Sequence, residues 1–249
     1  MTKNSIVTAA FVMIGDEILS GRTTDKNLNF LATNLTEMGI NLKEVRVVPD
    51  IEEEIILAVN AVKNKFDYVF TSGGIGPTHD DITSLSIAKA FDDELIQDGE
   101  ATEILIGYYG KENVNEARLK MAFVPRMAKL LDNPVSSAPG FRIANVFVMA
   151  GVPKIFQAMF EAAKKELIGG KKIKSEEIII SLTESLVAKD LENLQKKYSQ
   201  VSMGSYPFEG GTSLVFRSNN YEDLEKSVQE MTELLESVKS DSIISLSEK

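Results

Sequence analysis

The sequence predicts an α/β protein in which a parallel sheet has helices on both faces and is followed by a small α+β unit. Residues 6–14 form an almost uninterrupted apolar run, which is typical of a strand buried on both faces of a parallel sheet. Strand and helix patterns then alternate as βαβαβα up to residue 91. A glycine-rich loop at residues 71–83 separates the third strand from its helix, as in many ligand-binding α/β proteins.

Composition excludes several classes of protein. The chain has 249 residues, of which 43% are hydrophobic, enough for a large core or for a medium and a small domain. A net charge of −10 argues against nucleic-acid and basic membrane-surface binding. There is no cysteine and one histidine, so we expect oxygen ligands for any metal. The first residues lead into a strand rather than a signal peptide, and no run reaches membrane-spanning length, so we expect a cytoplasmic protein.

The first helix after the opening strand has one apolar face and ends at Gly39. That face consists of Leu28, Leu31, Leu35 and Met38. Residues 42–48 predict the second strand, and Pro49-Asp50 opens the next helix. Its inner face is predicted to contain Ile51, Ile55, Ala58 and Val62. The third strand, residues 68–70, leads into the glycine loop, and Thr83 is predicted to cap the helix at residues 84–91.

Later segments continue the alternation. Residues 99–109 and 115–122 predict helices, whereas residues 128–131, 141–143 and 146–150 predict strands. Pro153 suits the first turn of a further helix. Its predicted inner residues are Ile155, Met159, Phe160 and Ala163.

Gly169-Gly170 is the predicted domain boundary, with residues 1–168 carrying the chemistry and residues 171–249 forming a small second domain. That domain has a βαββα pattern with strands at residues 177–182, 201–206 and 212–217. Residues from about 240 onward are expected to be frayed.

The glycine loop has the composition of an anion site. Gly73, Gly74 and Gly76 lack a Cβ, so their backbone N–H groups can approach a ligand at a helix N-terminus. Asp80 and Asp81 would repel a phosphate unless a divalent cation lay between them. The loop therefore predicts a phosphate and metal site, although it has neither a P-loop ending nor the dinucleotide-binding glycine spacing. The alternative is a structural turn capped by Asp81 or Thr83.

Acidic residues follow the first three strands. Because parallel strands end at the same sheet edge, Asp50 and Asp81 are predicted to lie where ligands bind. Two carboxylates there could hold Mg²⁺ or a similar cation that shields phosphates and activates water. Asp16 and Glu17 face the same edge. The alternatives are a capping box beginning at Asp50 and a solvated turn at Asp16 and Glu17.

Several polar residues are weaker candidates. Asn27 is predicted to hydrogen-bond the ligand, while Asp25 caps the first helix. Ser72 and Thr78 can donate their hydroxyls to phosphate. His79 is interpreted as an exposed loop residue rather than a catalyst.

Six motifs together resemble one family, the molybdopterin-binding (MoaB/Mog-like) domains. They lie at residues 15–21, 25–27, 71–83, 138–141, 151–153 and 204–207. The resemblance is greatest to the N-terminal region of competence/damage-inducible protein A (CinA) and extends to that of eukaryotic FAD synthases. It implies a three-layer α/β/α domain followed by a small α+β domain.

The resemblance also implies a small nucleotide or pterin ligand. The favoured activity is metal-dependent hydrolysis of an adenine dinucleotide such as ADP-ribose or FAD. The alternatives are non-catalytic binding of molybdopterin or a nucleotide, and adenylyl transfer to the pterin. Asp50 and Asp81 would be catalytic and, with Asp80, would hold a divalent cation such as Mg²⁺. A homodimer or larger homo-oligomer is expected, which light scattering of the purified protein would test.

Three positions depart from the family pattern and bear on the choice of substrate. Lys26 occupies a position where the family has a small hydroxyl residue, and Ser136 replaces a glycine. Ser84-Leu85 stands where a glutamate is frequent. The amidohydrolase domain that usually follows in CinA proteins is not expected here.

Overall fold

The structure is a computed structural model that describes residues 6–238 and 242–248. It comprises two compact units, residues 1–170 and residues 171–249, called the first and second unit below.

The first unit alternates strands and helices in the predicted order. Its strands are β1 (Val7–Ile14), β2 (Ile40–Val48), β3 (Tyr68–Ser72), β4 (Leu95–Gln97), β5 (Phe123–Pro125), β6 (Lys129–Leu131), β7 (Gly140–Ile143) and β8 (Val146–Met149). Its helices are α1 (Asp16–Leu19), α2 (Asn27–Glu37), α3 (Glu52–Lys63), α4 (Thr83–Ala90), α5 (Gly99–Tyr109), α6 (Glu116–Lys120) and α7 (Pro153–Ala163). Short 3₁₀ turns lie at Lys111–Asn113 and Lys164–Glu166.

The central sheet of the first unit has the strand order β2-β1-β3-β8-β7-β6 within the described residues. Strands β2, β1, β3 and β8 run parallel, whereas β7 and β6 continue the sheet antiparallel. In the register, Val12 lies opposite both Arg46 and Thr71. The parallel strands therefore end together at Ile14, Val48, Ser72 and Met149, and the loops that follow them share one edge.

Two apolar layers enclose this sheet, so the predicted α/β fold is confirmed. Helices α2 and α7 pack on the face that carries Phe11, and α3 and α4 pack on the face that carries Val12. The inner side of α7 differs from the prediction, because Phe156 is fully buried whereas Ile155 is only partly buried. The Phe156 ring centre lies 5.7 Å from that of Phe11, and burying such a ring contributes about 1.5–3 kcal/mol.

A small antiparallel hairpin of β4 and β5 was not predicted. Each of its strands spans three residues, which is too short for a clear period-two pattern. The helix predicted at residues 115–122 ends at Lys120, and β5 begins at Phe123. The hairpin forms one wall of a cavity that α4 and α6 also line.

Two predicted helix caps are wrong. Ile82, not Thr83, occupies the N-cap position of α4, and the Thr83 hydroxyl donates instead to the Gly73 carbonyl at 2.9 Å. Asp50 does not cap α3, whose N-cap residue is Ile51. Asp25 lies one residue before Lys26, the N-cap residue of α2, but its carboxylate accepts from the amides of Asn27 and Leu28 in the first turn, as a cap would.

The second unit is an antiparallel sheet with two helices. Its elements are β9 (Lys174–Ile180), α8 (Glu184–Lys197), β10 (Ser202–Phe208), β11 (Gly211–Ser218), α9 (Tyr221–Val238) and β12 (Ile243–Glu248). Within the described residues the strand order is β10-β11-β9-β12, and the helices bury Leu194, Leu224 and Met231 in its core.

The expectation of a frayed C-terminus is wrong for β12, which pairs antiparallel with β9. Nearness to the chain end therefore did not mean disorder. Without β12, one edge of β9 would have unpaired N–H and C=O groups, and Ile243–Glu248 pairs with that edge. Residues 239–241 and 249 lie outside the described residues.

Candidate functional site

The glycine loop is held at both ends by backbone hydrogen bonds. The Gly73 amide donates to the Met149 carbonyl at 3.1 Å, and the Thr83 amide donates to the Gly74 carbonyl at 2.9 Å. Gly73 and Gly74 have φ angles of 105° and 70°, in the region that favours glycine. A Cβ on Gly73 would lie 2.1 Å from the Ile14 carbonyl oxygen. The loop therefore passes so close to β1 that a side chain at residue 73 would not fit.

Asp81 folds back on the loop. Its Oδ2 accepts from the Thr78 amide at 2.8 Å and from the Thr78 hydroxyl at 2.5 Å. The same carboxylate covers Gly76, where a Cβ would lie 2.7 Å from Oδ2. Asp81 thus shapes the loop, and its other oxygen is not used in these bonds. The Thr78 hydroxyl faces the carboxylates of Asp81 and Asp80 here rather than pointing free to a phosphate.

Acidic side chains gather at the ends of β1 and β2. Asp50 Oδ2 accepts from the Asp16 amide at 3.0 Å, which ties the two strand-end loops together. Burial raises the pKa of Asp50; the Asp16 amide opposes this, and the negative charges of Glu17, Asp16 and Asp80 raise the pKa further. Asp50 therefore lies among carboxylates whose mutual repulsion a cation would relieve.

Asp80 lies near Lys120 and His79, two side chains that can carry positive charge. The Thr78 hydroxyl, followed by the Asp80 amide, lowers the pKa of Asp80, and the charges of His79 and Lys120 add to this. The Lys120 ammonium donates to the Thr78 carbonyl. The His79 side chain is 99% exposed, so its interpretation as a surface loop residue is confirmed.

A cavity of about 320 Å³ lies over the loop and is called the loop cavity. Gly73, Gly74, Gly76, Glu17 and Asp81 line it together with groups from other segments. Those groups include Met121, Asn133, Ser136, Ala138, Gly151 and Met159. Its size is at the lower end of the ~300–1,000 Å³ usual for ligand sites.

Ser72 and Asn27 lie in a separate, smaller cavity of about 40 Å³ that Glu17 also lines. Asn27 is 2% exposed, and its amide group donates to the Gly151 carbonyl at 2.8 Å and to the Ser72 hydroxyl at 3.2 Å. The Gly151 carbonyl fixes the orientation of this amide, because only the nitrogen can donate to it. The Asn27 side-chain oxygen is buried and has no hydrogen-bond partner among the described residues.

The structure does not gather the three proposed metal ligands into a cage. Within residues 6–238 and 242–248, no group of three or more Asp, Glu or His side chains is placed to hold a metal ion. Asp50 interacts with Asp16, Glu17 and Asp80 rather than with Asp81. The oxygen donors nevertheless fit Mg²⁺, which is usually held by one or two carboxylates, waters and the substrate's own phosphates.

A family comparison agrees with this architecture. The family described as "Probable molybdopterin binding domain" matches residues 10–169. The chain belongs to this family. The family described as "FAD synthase, middle domain" matches residues 172–243, within the second unit. The resemblance drawn from the motifs is therefore confirmed.

Relatives of this molybdopterin-binding domain protein fall into two groups by length. The chain is 36% identical over 226 residues to a probable FAD synthase of Caenorhabditis briggsae and 33% identical over 260 residues to one of Caenorhabditis elegans. These matches cover 80% and 92% of this chain but 43% and 50% of the relatives, so the chain spans about half of their length. A protein of Archaeoglobus fulgidus is 32% identical over 224 residues, with 90% of this chain and 96% of the relative covered.

A solved structure of CinA from Thermoplasma acidophilum is also similar. It has a TM-score of 0.62 and 35% sequence identity, and the match covers 65% of this chain and 99% of that one. In the described part of the chain, no helix combines the length and apolar character needed to cross a membrane.

Sequence reasoning assigned no role to several residues that the family fold brings to the loop. Asn133 is buried and donates to the Ser136 hydroxyl and the Ala138 carbonyl, both at 2.7 Å. The motifs at residues 138–141 and 151–153 marked these segments as part of the family pattern, but they did not indicate that the segments line the loop cavity. Lys120 had no sequence signal, because its approach to Thr78 depends on how α6 packs.

Proposed function

We propose that the chain hydrolyses the pyrophosphate bond of an adenine dinucleotide such as ADP-ribose or FAD, with a divalent cation. One observation carries the proposal: a group of carboxylates, Asp16, Glu17, Asp50 and Asp80, lies beside a glycine loop whose free amides suit phosphate. Phosphate and carboxylate groups are both negative, so they can lie close together only when a cation between them offsets their repulsion. The names of the relatives support the ligand class, since FAD contains a pyrophosphate that joins its adenosine and riboflavin parts.

In this proposal the loop binds the pyrophosphate. The amides of Gly74 and Gly76 have no acceptor among the described residues and would donate to phosphate oxygens. Glu17 and Asp81 reach the same cavity. Asp50 and Asp81 would hold the cation, with Asp80 beside them, and the cation would supply charge neutralisation and activation of water.

The reaction is a hydrolysis at phosphorus. An oxygen of water forms a bond to one phosphorus atom, and the bond from that phosphorus to the bridging oxygen breaks. ADP-ribose would give AMP and ribose 5-phosphate, and FAD would give AMP and FMN. A carboxylate of the acidic group that does not hold the cation takes the proton that water loses.

A second candidate is a non-catalytic nucleotide or molybdopterin-binding protein. It is favoured by the hydrogen bonds that tie Asp81 to Thr78 and by the lack of an assembled metal cage in the described residues. Adenylyl transfer to a pterin, the third possibility raised by the resemblance, has no separate support in the geometry.

The test is the substitution Asp81→Asn, which keeps an oxygen that can accept from Thr78 but removes the negative charge. Purified wild type is incubated with ADP-ribose or FAD and Mg²⁺, and AMP formation is measured. We expect turnover to fall by about 10²-fold or more, with little change in melting temperature. Asp190→Asn, the same change in α8 of the second unit, is the control and should have no effect.

Full turnover in a folded Asp81→Asn protein would exclude Asp81 from the reaction. A wild type that binds these nucleotides without producing AMP, over a range of divalent metals, would favour the binding protein.

A further inference from the structure

A second cavity, called the hairpin cavity, lies between α4, α6 and the β4–β5 hairpin and has a volume of about 310 Å³. Five of the residues that line it are large and apolar: Ile75, Ile82, Leu85, Leu95 and Phe123. This wall includes both strands of the hairpin and the start of α4. An apolar chamber of this size beside a polar loop is typical of a site for a ring that is flat and mostly apolar.

The hairpin cavity adjoins the loop cavity. Ile75, Gly76 and Asp81 line both, so they form the boundary between the two chambers. A ligand whose phosphates contact the glycine loop at this boundary can therefore extend one end into each chamber. This arrangement suits a molecule with a pyrophosphate in the middle and a different group at each end.

A few polar groups accompany the apolar wall of the hairpin cavity. Glu116 offers an acceptor, Lys120 a donor, and the Ser84 hydroxyl either. Adenine presents an amino group as donor and ring nitrogens as acceptors, which these side chains can match. Lys120 also donates to the Thr78 carbonyl, so its positive charge lies next to the loop where a phosphate attached to the base would be.

We infer that the hairpin cavity binds the adenine ring of the AMP half of the substrate, while the other half lies in the loop cavity. The inference rests on the proposed function for its substrate class and adds which chamber takes which half. The acceptor of Glu116 and the donor of Lys120 favour the adenine ring for this cavity, because adenine carries both an amino donor and ring-nitrogen acceptors. A lipid or an apolar peptide is disfavoured, because charged side chains and a phosphate-type loop border the cavity.

Ser84 provides a test, because its side chain lines the cavity in the first turn of α4 and makes no helix cap. Ser84→Leu places a larger apolar side chain in the cavity, whereas the control Ser84→Ala removes only the hydroxyl. Binding of AMP and of ribose 5-phosphate, which lacks the ring, is measured by calorimetry for wild type and both variants. Leu95→Phe fills the same cavity from the hairpin and serves as a second variant if Ser84→Leu does not fold.

We expect Ser84→Leu to weaken AMP binding about tenfold or more, because the larger side chain occupies space that the ring would need. Ser84→Ala and the binding of ribose 5-phosphate should change little. Equal AMP affinity in folded wild type, Ser84→Leu and Leu95→Phe, or no AMP binding by wild type, would overturn the inference. A selective loss of AMP binding in a protein without hydrolase activity would support this site and reject the proposed reaction. Unchanged AMP binding in a protein that does hydrolyse dinucleotides would reject only this site.

Discussion

The main sheets of the two units connect their strands differently. In the first unit, β1, β2, β3 and β8 are parallel, so the loops after them lie at one edge. In the second unit all described strand pairs are antiparallel, so neighbouring strands end at opposite edges of the sheet. Parallel topology is what brings side chains from distant parts of the chain, such as Asp16, Asp50 and Asp80, to one place.

The acidic residues on the helices of the second unit and those at the strand edge of the first unit differ in their partners. In the second unit Glu192 and Glu222 pair with lysines one helical turn away, and Glu230 binds Lys197 at 2.5 Å. In the first unit the nearest charges to Asp50 are other carboxylates, and no salt bridge to it is present within the described residues. The difference indicates that the edge of the first unit retains electrostatic repulsion, as expected of a site that binds a cation with its ligand.

The substitution Gly73→Ala should cause the largest loss of stability, because it would disrupt the close approach of the glycine loop to β1. A Cβ there would meet the Ile14 carbonyl oxygen at 2.1 Å, and φ is 105°. We expect a loss of about 3 kcal/mol or more in the free energy of unfolding, measured by urea denaturation.

Gly107→Ala is the matched control for this prediction. Gly107 lies in α5 with no atom near its Cβ position, so alanine should stabilise the helix by about 0.5–1 kcal/mol. Wild-type stability in Gly73→Ala would mean that the loop does not pass β1 as closely as described.

Charge neutralisation should have opposite effects in the two units. The raised pKa of Asp50 means that its charge costs stability at neutral pH, so Asp50→Asn should raise the melting temperature by at most about 2–4 °C. The gain should disappear as the pH falls below about 4, where wild-type Asp50 is itself protonated.

Glu230→Gln should do the reverse. The hydrogen bond from Lys197, the first cause, and that from Tyr198 lower the pKa of Glu230, so its charge stabilises the fold above pH ~4.3 and that contribution is lost on acidification. Thermal melts of both variants at pH 7 and in acid check the pair. A destabilised Asp50→Asn protein at pH 7 would show that repulsion does not dominate at Asp50.

Removal of the second unit should have the smallest effect on chemistry. The first unit extends to Gly170, because the Ile168 amide donates to the Tyr68 hydroxyl at 2.9 Å and the Gly170 amide to the Gly39 carbonyl at 3.3 Å. A fragment of residues 1–170 should unfold cooperatively and keep turnover within about twofold of the full chain.

A fragment of residues 1–165 is the control, because it lacks these contacts and the buried Leu167 and should melt at a lower temperature. Circular dichroism and the AMP assay decide the outcome. Aggregation of the 1–170 fragment would show that the first unit requires the second to fold.

The sequence by itself determined the order and type of most elements and the location of the loop. The reason is local: the apolar run of β1, the helical spacing of Leu28, Leu31 and Leu35, and the glycines at 73, 74 and 76 each specify conformation within a few residues. It also placed Asp50 and Asp81 after parallel strands, which the register confirms.

Only the tertiary structure decided which side chains are free to act. The sequence could not show that Thr78 binds Asp81, that Asn27 is fixed by Gly151, or that Asp50 lies among Asp16, Glu17 and Asp80. It also missed the β4–β5 hairpin and with it the hairpin cavity. These features depend on contacts between residues far apart in the chain, where local propensity is weak and packing selects the conformation.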